Sequence, residues 1–373
     1  MQAPAVTLSP AEARARLLGW LGLSRRSPGG PEGVRALLTR LRHIQLDPLD
    51  RLGTNADLVA LARLDGVQRG DVYRHLLPGH AFEHFAKERC LLPASALPWY
   101  RAAQSRAGWW RETERMKRID EGLIADVLAE VRERGPITPP ELSDRGEVDP
   151  IDWNGWRGTR SAAAMAIEVL WTRCEVVVCG RDRNTKRYDV PDRALPEAAR
   201  APVPDDWQAW AVEQRVHAAG LLGAHAGIWW SSLTDLRASD VPKRLVREGR
   251  AVRVQIEGAR KTWLAPPALL EGPPPDHDDH MRILGPLDPL LWERDLAQIL
   301  FGFEYIWEVY KPADKRRWGW YVVPLLHRGR LVGRLEAHTD GGRAVVDRLW
   351  AEDGPIDDDA LQEALSRHTL PVD

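Results

Sequence analysis

The sequence predicts an α+β chain: tandem winged-helix domains followed by a C-terminal β-barrel-like domain. Three observations carry this. Residues 120–190 read helix, helix, helix and then a strand pair around an Arg-rich turn, the order of a winged helix. Residues 207–264 repeat that scheme in abbreviated form. From residue 304 four strand-like stretches follow, joined at Arg328-Gly329 and Gly341-Gly342, which suit a small barrel or sheet.

The elements follow from local chemistry. Ser9-Pro10-Ala11-Glu12 is a capping box with Pro at the first helical position, so a helix starts there. A Pro/Gly-rich break at 27–33 precedes a second helix carrying Val34, Leu37, Leu38 and Leu41. Residues 56–64, 71–77 and 80–92 also read as helical. Leu123, Ile124, Val127, Leu128 and Val131 share one helical face. Thr138-Pro139-Pro140-Glu141 is a second capping box and predicts another helix. Residues 161–174 make the third, and 175–179 with 186–190 the wing. In the second module a helix from Trp207 leads to a helix over 241–248 closed by Gly249, and then to strands at 251–256 and 261–264. Beyond a Pro-, Gly- and Asp-rich tract come a helix at 284–299, strands at 304–310, 319–326, 330–337 and 343–349, and a closing helix at 357–367. The expected domains are 1–116, a helical unit; 117–200, a winged helix with a basic wing; 205–265, a second winged helix; 266–280, a linker; and 281–373, the barrel-like domain with its helix.

Composition narrows the function classes. A chain of 373 residues with 44% hydrophobic and 28% charged residues is globular and exceeds one ordinary core. The net charge of −2 hides segregation, with Arg and Lys crowding 181–187 and 311–317 and acid gathering at 276–279 and 357–359. Three scattered cysteines make neither a disulfide framework nor a paired-thiolate metal site, which points to a reducing cytoplasm. No signal peptide or membrane span is read. A phosphate-cradling Gly loop, a nucleophile elbow and a paired-Cys redox motif are all missing, so nucleotide-dependent chemistry is unsupported. His80-Ala81-Phe82-Glu83-His84 fits the inverted zinc-protease pattern but lacks a third ligand, and the expectation is no metal and no cofactor. Asp276-His277-Asp278-Asp279-His280 reads as a solvated acidic tract.

The candidate chemistry lies in residues 41–64. Gln45 and Asp47 stand two apart in an apolar run, so an extended backbone would aim both at one face. The carboxylate could then serve as a base or cation stabiliser, and the amide could fix a water or a base edge. Against this, Asp47-Pro48 is also how a helix starts, and Leu-Asp-Pro-Leu recurs at 287–290 ahead of an apolar helix. Arg181, Arg183, Lys186 and Arg187 on the wing are candidate phosphate contacts. Lys311, Lys315, Arg316 and Arg317, interleaved with Trp318 and Trp320, suit phosphate contact with stacking, although a rim held by cation–π contacts has the same composition.

These pieces together resemble the winged-helix DNA glycosylase family that includes AlkZ and YcaQ. The resemblance is carried by Ile44-Gln45-Leu46-Asp47, by Phe82-Glu83-His84-Phe85-Ala86-Lys87-Glu88, by Arg187-Tyr188-Asp189 and by Leu287-Asp288-Pro289-Leu290-Leu291-Trp292. Further matches are Leu300-Phe301-Gly302-Phe303-Glu304-Tyr305 and Gly319-Trp320-Tyr321-Val322-Val323-Pro324. It implies removal of alkylated bases, crosslinked ones included, from double-stranded DNA without a cofactor, by a monomer in the cytoplasm that joins the nucleoid when on DNA. The family's catalytic pattern falls on Gln45 and Asp47, as in the Asp-bearing branch. Two departures stand out: Thr54-Asn55-Ala56 where the family commonly has Arg-Ala-His, and Lys87 where His is frequent. Thr54 and Asn55 are therefore candidate DNA contacts in place of the missing basic group. With no lysine in the motif to form a Schiff base, a single-function hydrolase is expected. The competing reading is a non-catalytic winged-helix regulator in which Asp47 only caps a helix.

Overall fold

The computed structural model describes residues 5–104, 110–152, 157–182 and 185–369. Contacts divide the chain into two units, the first formed by Met1–Val72, Phe85–Cys90 and Gln208–Asp373, the second by Tyr73–His84 and Leu91–Trp207. No helix among the described residues is long and apolar enough to cross a membrane.

In the first unit, Ser9 caps the helix Pro10–Trp20 by accepting from Glu12 N–H, as its capping box predicts. The amphipathic helix Gly30–Leu41 buries Val34, Leu37, Leu38 and Leu41. The helix Trp207–Ala219, whose first residue belongs to the other unit, is followed by Thr234–Ala238, Val241–Arg247 and the strands Val252–Ile256 and Thr262–Ala265. The strand Val6–Leu8 joins that pair in parallel, and Leu222–Gly223 closes the other side, giving a four-stranded sheet. A second sheet runs antiparallel through Arg282–Ile283, Val322–His327, Arg330–Asp340 and Arg343–Ala351.

That second sheet is open, so the barrel expectation is corrected to an open four-stranded sheet. Residues 304–310 supply no strand. Instead the Glu308 carboxylate turns inward to accept from the N–H groups of Arg317 and Trp318, and the buried Tyr305 hydroxyl donates to Val322 O. Those bonds use side chains where a ladder would use backbone, and the edge goes to Arg282–Ile283. The sheet packs with the closing helix Asp358–Ser366 and with Leu52 and Leu58, so residues flanking the early motif share a core with Val323, Leu335 and Leu365.

In the second unit Asp120 caps Glu121–Arg134 and Ser161 caps Ala162–Thr172. The hairpin Val177–Asp182 with Thr185–Asp189 follows, extended by a bridge from Ile137 to Tyr188. The capping box at Thr138 and Glu141 forms as read but opens only the single 3-10 turn Pro139–Glu141, not a helix. Residues 80–92 are not helical either: Ala81–Phe85 and Arg89–Pro93 are strands. Ala81, Phe82, Glu83 and His84 are all buried, so there is no solvated face for a surface helix, and the segment is a short strand covered on both faces.

The two halves of the first unit are tied by a fully buried ion pair. Arg63 donates to both Asp288 oxygens, at 2.7 and 2.9 Å, and also to the carbonyls of Leu21 and Val59. Arg63 and Asp288 are 1% and 0% exposed. Removing one partner strands the other charge, so Asp288→Ala is expected to lower stability by ~3–5 kcal/mol in urea unfolding, with Asp288→Asn retaining part of the loss through its shape. A cost under ~1 kcal/mol would show that the pair contributes no more than a surface bridge.

Candidate active site

Asp47 and its copy Asp288 begin from the same four residues and end in different environments. Asp288 accepts from Leu290 N–H at 3.1 Å, opens the 3-10 turn Pro289–Leu291, and is neutralised by Arg63. Asp47 makes the same local bond, from Leu49 N–H at 2.9 Å, yet no helix follows until Asn55–Leu61. Among the described residues no cation pairs with it. Burial pushes the Asp47 carboxyl up, and the Leu49 bond offsets part of that. Burial, and then the Asp47 charge, raise the phenols of Tyr310 and Tyr321, which places both rings within electrostatic reach of the carboxylate.

Gln45 lies on the short strand Ile44–Gln45 and is buried. Its backbone carbonyl accepts from Asn55 Nδ2 at 2.8 Å, and Leu46 N–H donates to Arg89 O at 2.8 Å, which fixes the strand on both sides. Its side-chain oxygen accepts from Lys87 Nζ at 3.1 Å. Lys87 stands over the Trp292 ring, 4.3 Å from the centroid. Burial, the largest influence, lowers its ammonium to about 8.

Next to this group a cavity of about 460 Å³ is lined by Lys87, His225, Trp229, Trp292, Glu293 and Trp307, among others. Trp229 and Trp292 pack at 4.4 Å between centroids, and the buried His43 ring lies 5.0 Å from Trp292. Desolvation, then the Arg215 and Lys87 charges, push His43 well below its ordinary value, so it is neutral. Glu293 is raised to about 7 by burial, although Trp263 Nε1 and Gly223 N–H donate to it. The walls are thus aromatic, with a few polar groups at fixed places, the usual make-up of a small-molecule or base pocket.

The predicted DNA contacts fare unevenly. Asn55 is 1% exposed, and its amide bridges Gln45 O to Leu287 N–H. Its amide is thus engaged within the protein, bracing the motif. Gly285 permits that bridge, since a Cβ there would sit 2.5 Å from Asn55 Oδ1. Thr54 caps Asn55–Leu61 in a reciprocal box with Asp57. In the second unit Arg181 and Lys186 both turn onto the buried Glu83, and Arg181 also covers Tyr73. Arg187 is half-buried and donates to Pro136 O. Arg183 lies outside the described residues. In the first unit Lys311 pairs with Glu308, Arg316 donates to Lys311 O, Arg317 covers Trp318 and pairs with Glu304, and Lys315 is exposed. Glu83, the central residue of the zinc-like pattern, is thus committed to two cations, and no group of three metal-binding side chains occurs among the described residues.

Sequence reasoning singled out Lys87 only as a departure and did not weigh Tyr310. Tyr310 is 79% exposed, a large aromatic beside a half-buried carboxylate, and its exposure was not readable from spacing. The aromatic cluster is signalled only by the 17 tryptophans of the chain.

A mixed α+β chain carrying a glutamine–carboxylate pair beside an aromatic cavity has the groups to hold and act on a base, and the comparison with protein families assigns it to the DNA glycosylases. The family model for DNA glycosylase AlkZ-like proteins matches residues 38–369, and the chain belongs to that family. Among solved structures it is similar in fold to the Streptomyces sahachiroi DNA glycosylase AlkZ, with a TM-score of 0.61 over 97% of this chain and 96% of that one, at 17% identity.

Because the fold raises the Asp47 carboxyl, it disfavours the charged form, and the folded state holds that proton more tightly than the unfolded chain. Asp47→Asn is therefore expected to be at least as stable as the native protein at neutral pH. The advantage should vanish below pH ~4, where an unfolded aspartate is also protonated. Urea unfolding at both values checks this, and a clear loss of stability at neutral pH would instead make Asp47 a structural cap.

Proposed function

We propose that this glycosylase hydrolyses the N-glycosidic bond of alkylated bases of the N7-alkylguanine type, crosslinked ones included, in double-stranded DNA and leaves an abasic site. The observation that carries the reading is the half-buried Asp47 carboxylate beside Gln45, with no ion pair among the described residues, in a chain of the AlkZ-like family. Alkylation at N7 of guanine leaves the base positively charged and weakens its bond to the sugar. The protein then needs mainly to stabilise an oxocarbenium-like sugar and to place a water. Asp47 supplies the negative charge and takes the water's proton; Gln45 orients the water or holds the lesion. No cofactor enters these steps.

Phosphate contact is assigned to the exposed cations Lys315 and Arg317 with Lys311 and Arg316 in the first unit, and to Arg187 with Arg183 on the wing of the second, which we read as a winged helix. Arg181 and Lys186 reach DNA only by leaving Glu83. We read the protein as a cytoplasmic monomer that joins the nucleoid on DNA.

The test is base release from a duplex carrying one N7-methylguanine, comparing the native protein with Asp47→Asn. Native release with a loss of ~10²-fold or more in the folded variant is expected, and native activity should fall as pH drops through the raised Asp47 value. Absence of release by the native protein, with duplex binding retained, would favour a DNA-binding module or a different lesion.

A further inference from the structure

We propose that Lys87 gives this protein a second activity, an abasic-site lyase, in which its amine captures the sugar aldehyde left by base excision and opens the strand. The proposal rests on the reading above for the position of the sugar at Gln45 and Asp47. It replaces the single-function expectation, whose premise was that no lysine lies in the motif. The fold brings one in: Lys87 Nζ is 3.1 Å from Gln45 Oε1, and its side chain lines the aromatic cavity.

Three features separate Lys87 from an ordinary phosphate-binding lysine. Its side chain is drawn in beside Trp292, where a phosphate contact would stand in water. No carboxylate forms an ion pair with it among the described residues, so the amine is not locked as an ammonium. Its backbone is also held, since the buried Arg215 donates to Ala86 O and Arg89 O accepts from Leu46 N–H. The amine is thus presented from a fixed turn.

A nucleophilic amine must be neutral, and an apolar site is how proteins obtain one near neutral pH. With its ammonium lowered to about 8, about a tenth of Lys87 is neutral at pH 7. Burial sets this first, then Cys90 and Glu88 on its own hairpin, which raise it, and Arg294 and Arg215, which lower it; His43 lies within reach of its charge, and His225 and Glu293 share the cavity.

The step balances without an oxidant or reductant. The amine adds to C1′ of the ring-opened abasic sugar, and water leaves to form the imine. A base, for which Asp47 is placed, takes a C2′ proton; the C3′–O bond breaks and the phosphate departs as the 5′ end of the downstream strand. Water then hydrolyses the imine, returning the amine and leaving an unsaturated aldehyde on the upstream strand.

The experiment uses the full chain and a duplex with a preformed abasic site, so it needs no base excision and its failure is distinct from failure of the glycosylase reading. Cyanoborohydride is added to trap the imine, and the adduct is located by peptide mapping. A covalent complex on Lys87 is expected, with strand cleavage in the absence of reductant. The trapping rate should fall about tenfold from pH 7 to pH 6. Lys87→Arg keeps the charge and the stacking on Trp292 and should lose trapping at least ~10-fold while still binding the abasic duplex. No adduct in the native protein, an adduct on another amine, or equal trapping by folded Lys87→Arg overturns the proposal.

Discussion

The first unit depends on the Arg63–Asp288 pair. Two charges without water are tolerable only when every polar atom finds a partner. Here Arg63 spreads its donors over Asp288, Leu21 O and Val59 O, while Asp288 also accepts from Leu290 N–H. Such a pair adds little over a well-packed apolar contact but admits few alternative arrangements. It fixes Leu287 and Trp292 against the helix that follows the Gln45 strand, and Asn55 repeats the constraint by joining Gln45 O to Leu287 N–H. The wall of the cavity and the motif are therefore placed by one network.

The two Leu-Asp-Pro-Leu segments show how little of a carboxylate's role is written locally. Both aspartates accept from the N–H two residues on. One is then neutralised by an arginine, and the other is left half-buried with a raised affinity for its proton. A charge the fold disfavours but retains is a mark of a working site, because structural carboxylates are usually satisfied. Lys87 is the complementary case, a cation drawn in with no carboxylate ion-paired to it among the described residues.

What was legible in the sequence was what local hydrogen bonds decide. Ser9, Asp120 and Ser161 cap their helices through bonds three residues long, and the strand pair at 177–189 follows a β-branched run. Thr138 shows the limit, since its box formed and the helix did not. The hairpin at 81–93 was read as a helix, whereas Glu83 is buried against two cations of the hairpin that ends at Asp189. Residues 304–310 were misread because Glu308 and Tyr305 bond to segments ten or more residues away. In the site, Gln45 and Asp47 were visible as a motif. Asn55 was not recognised as a brace, nor Lys87 as a neighbour of Gln45, because their partners near residues 285–292 lie far along the chain.

The order in which the chain is made gives the interrupted first unit a temporal meaning. Gln45, Asp47 and Lys87 leave the ribosome before Asp288 and Trp292, so Arg63 lacks its counter-charge and Lys87 the ring it stands over until those emerge. The intervening segment Leu91–Trp207 belongs to the other unit and can form its own core meanwhile. A nascent chain thus carries the groups proposed to react well before the residues that surround them have been made.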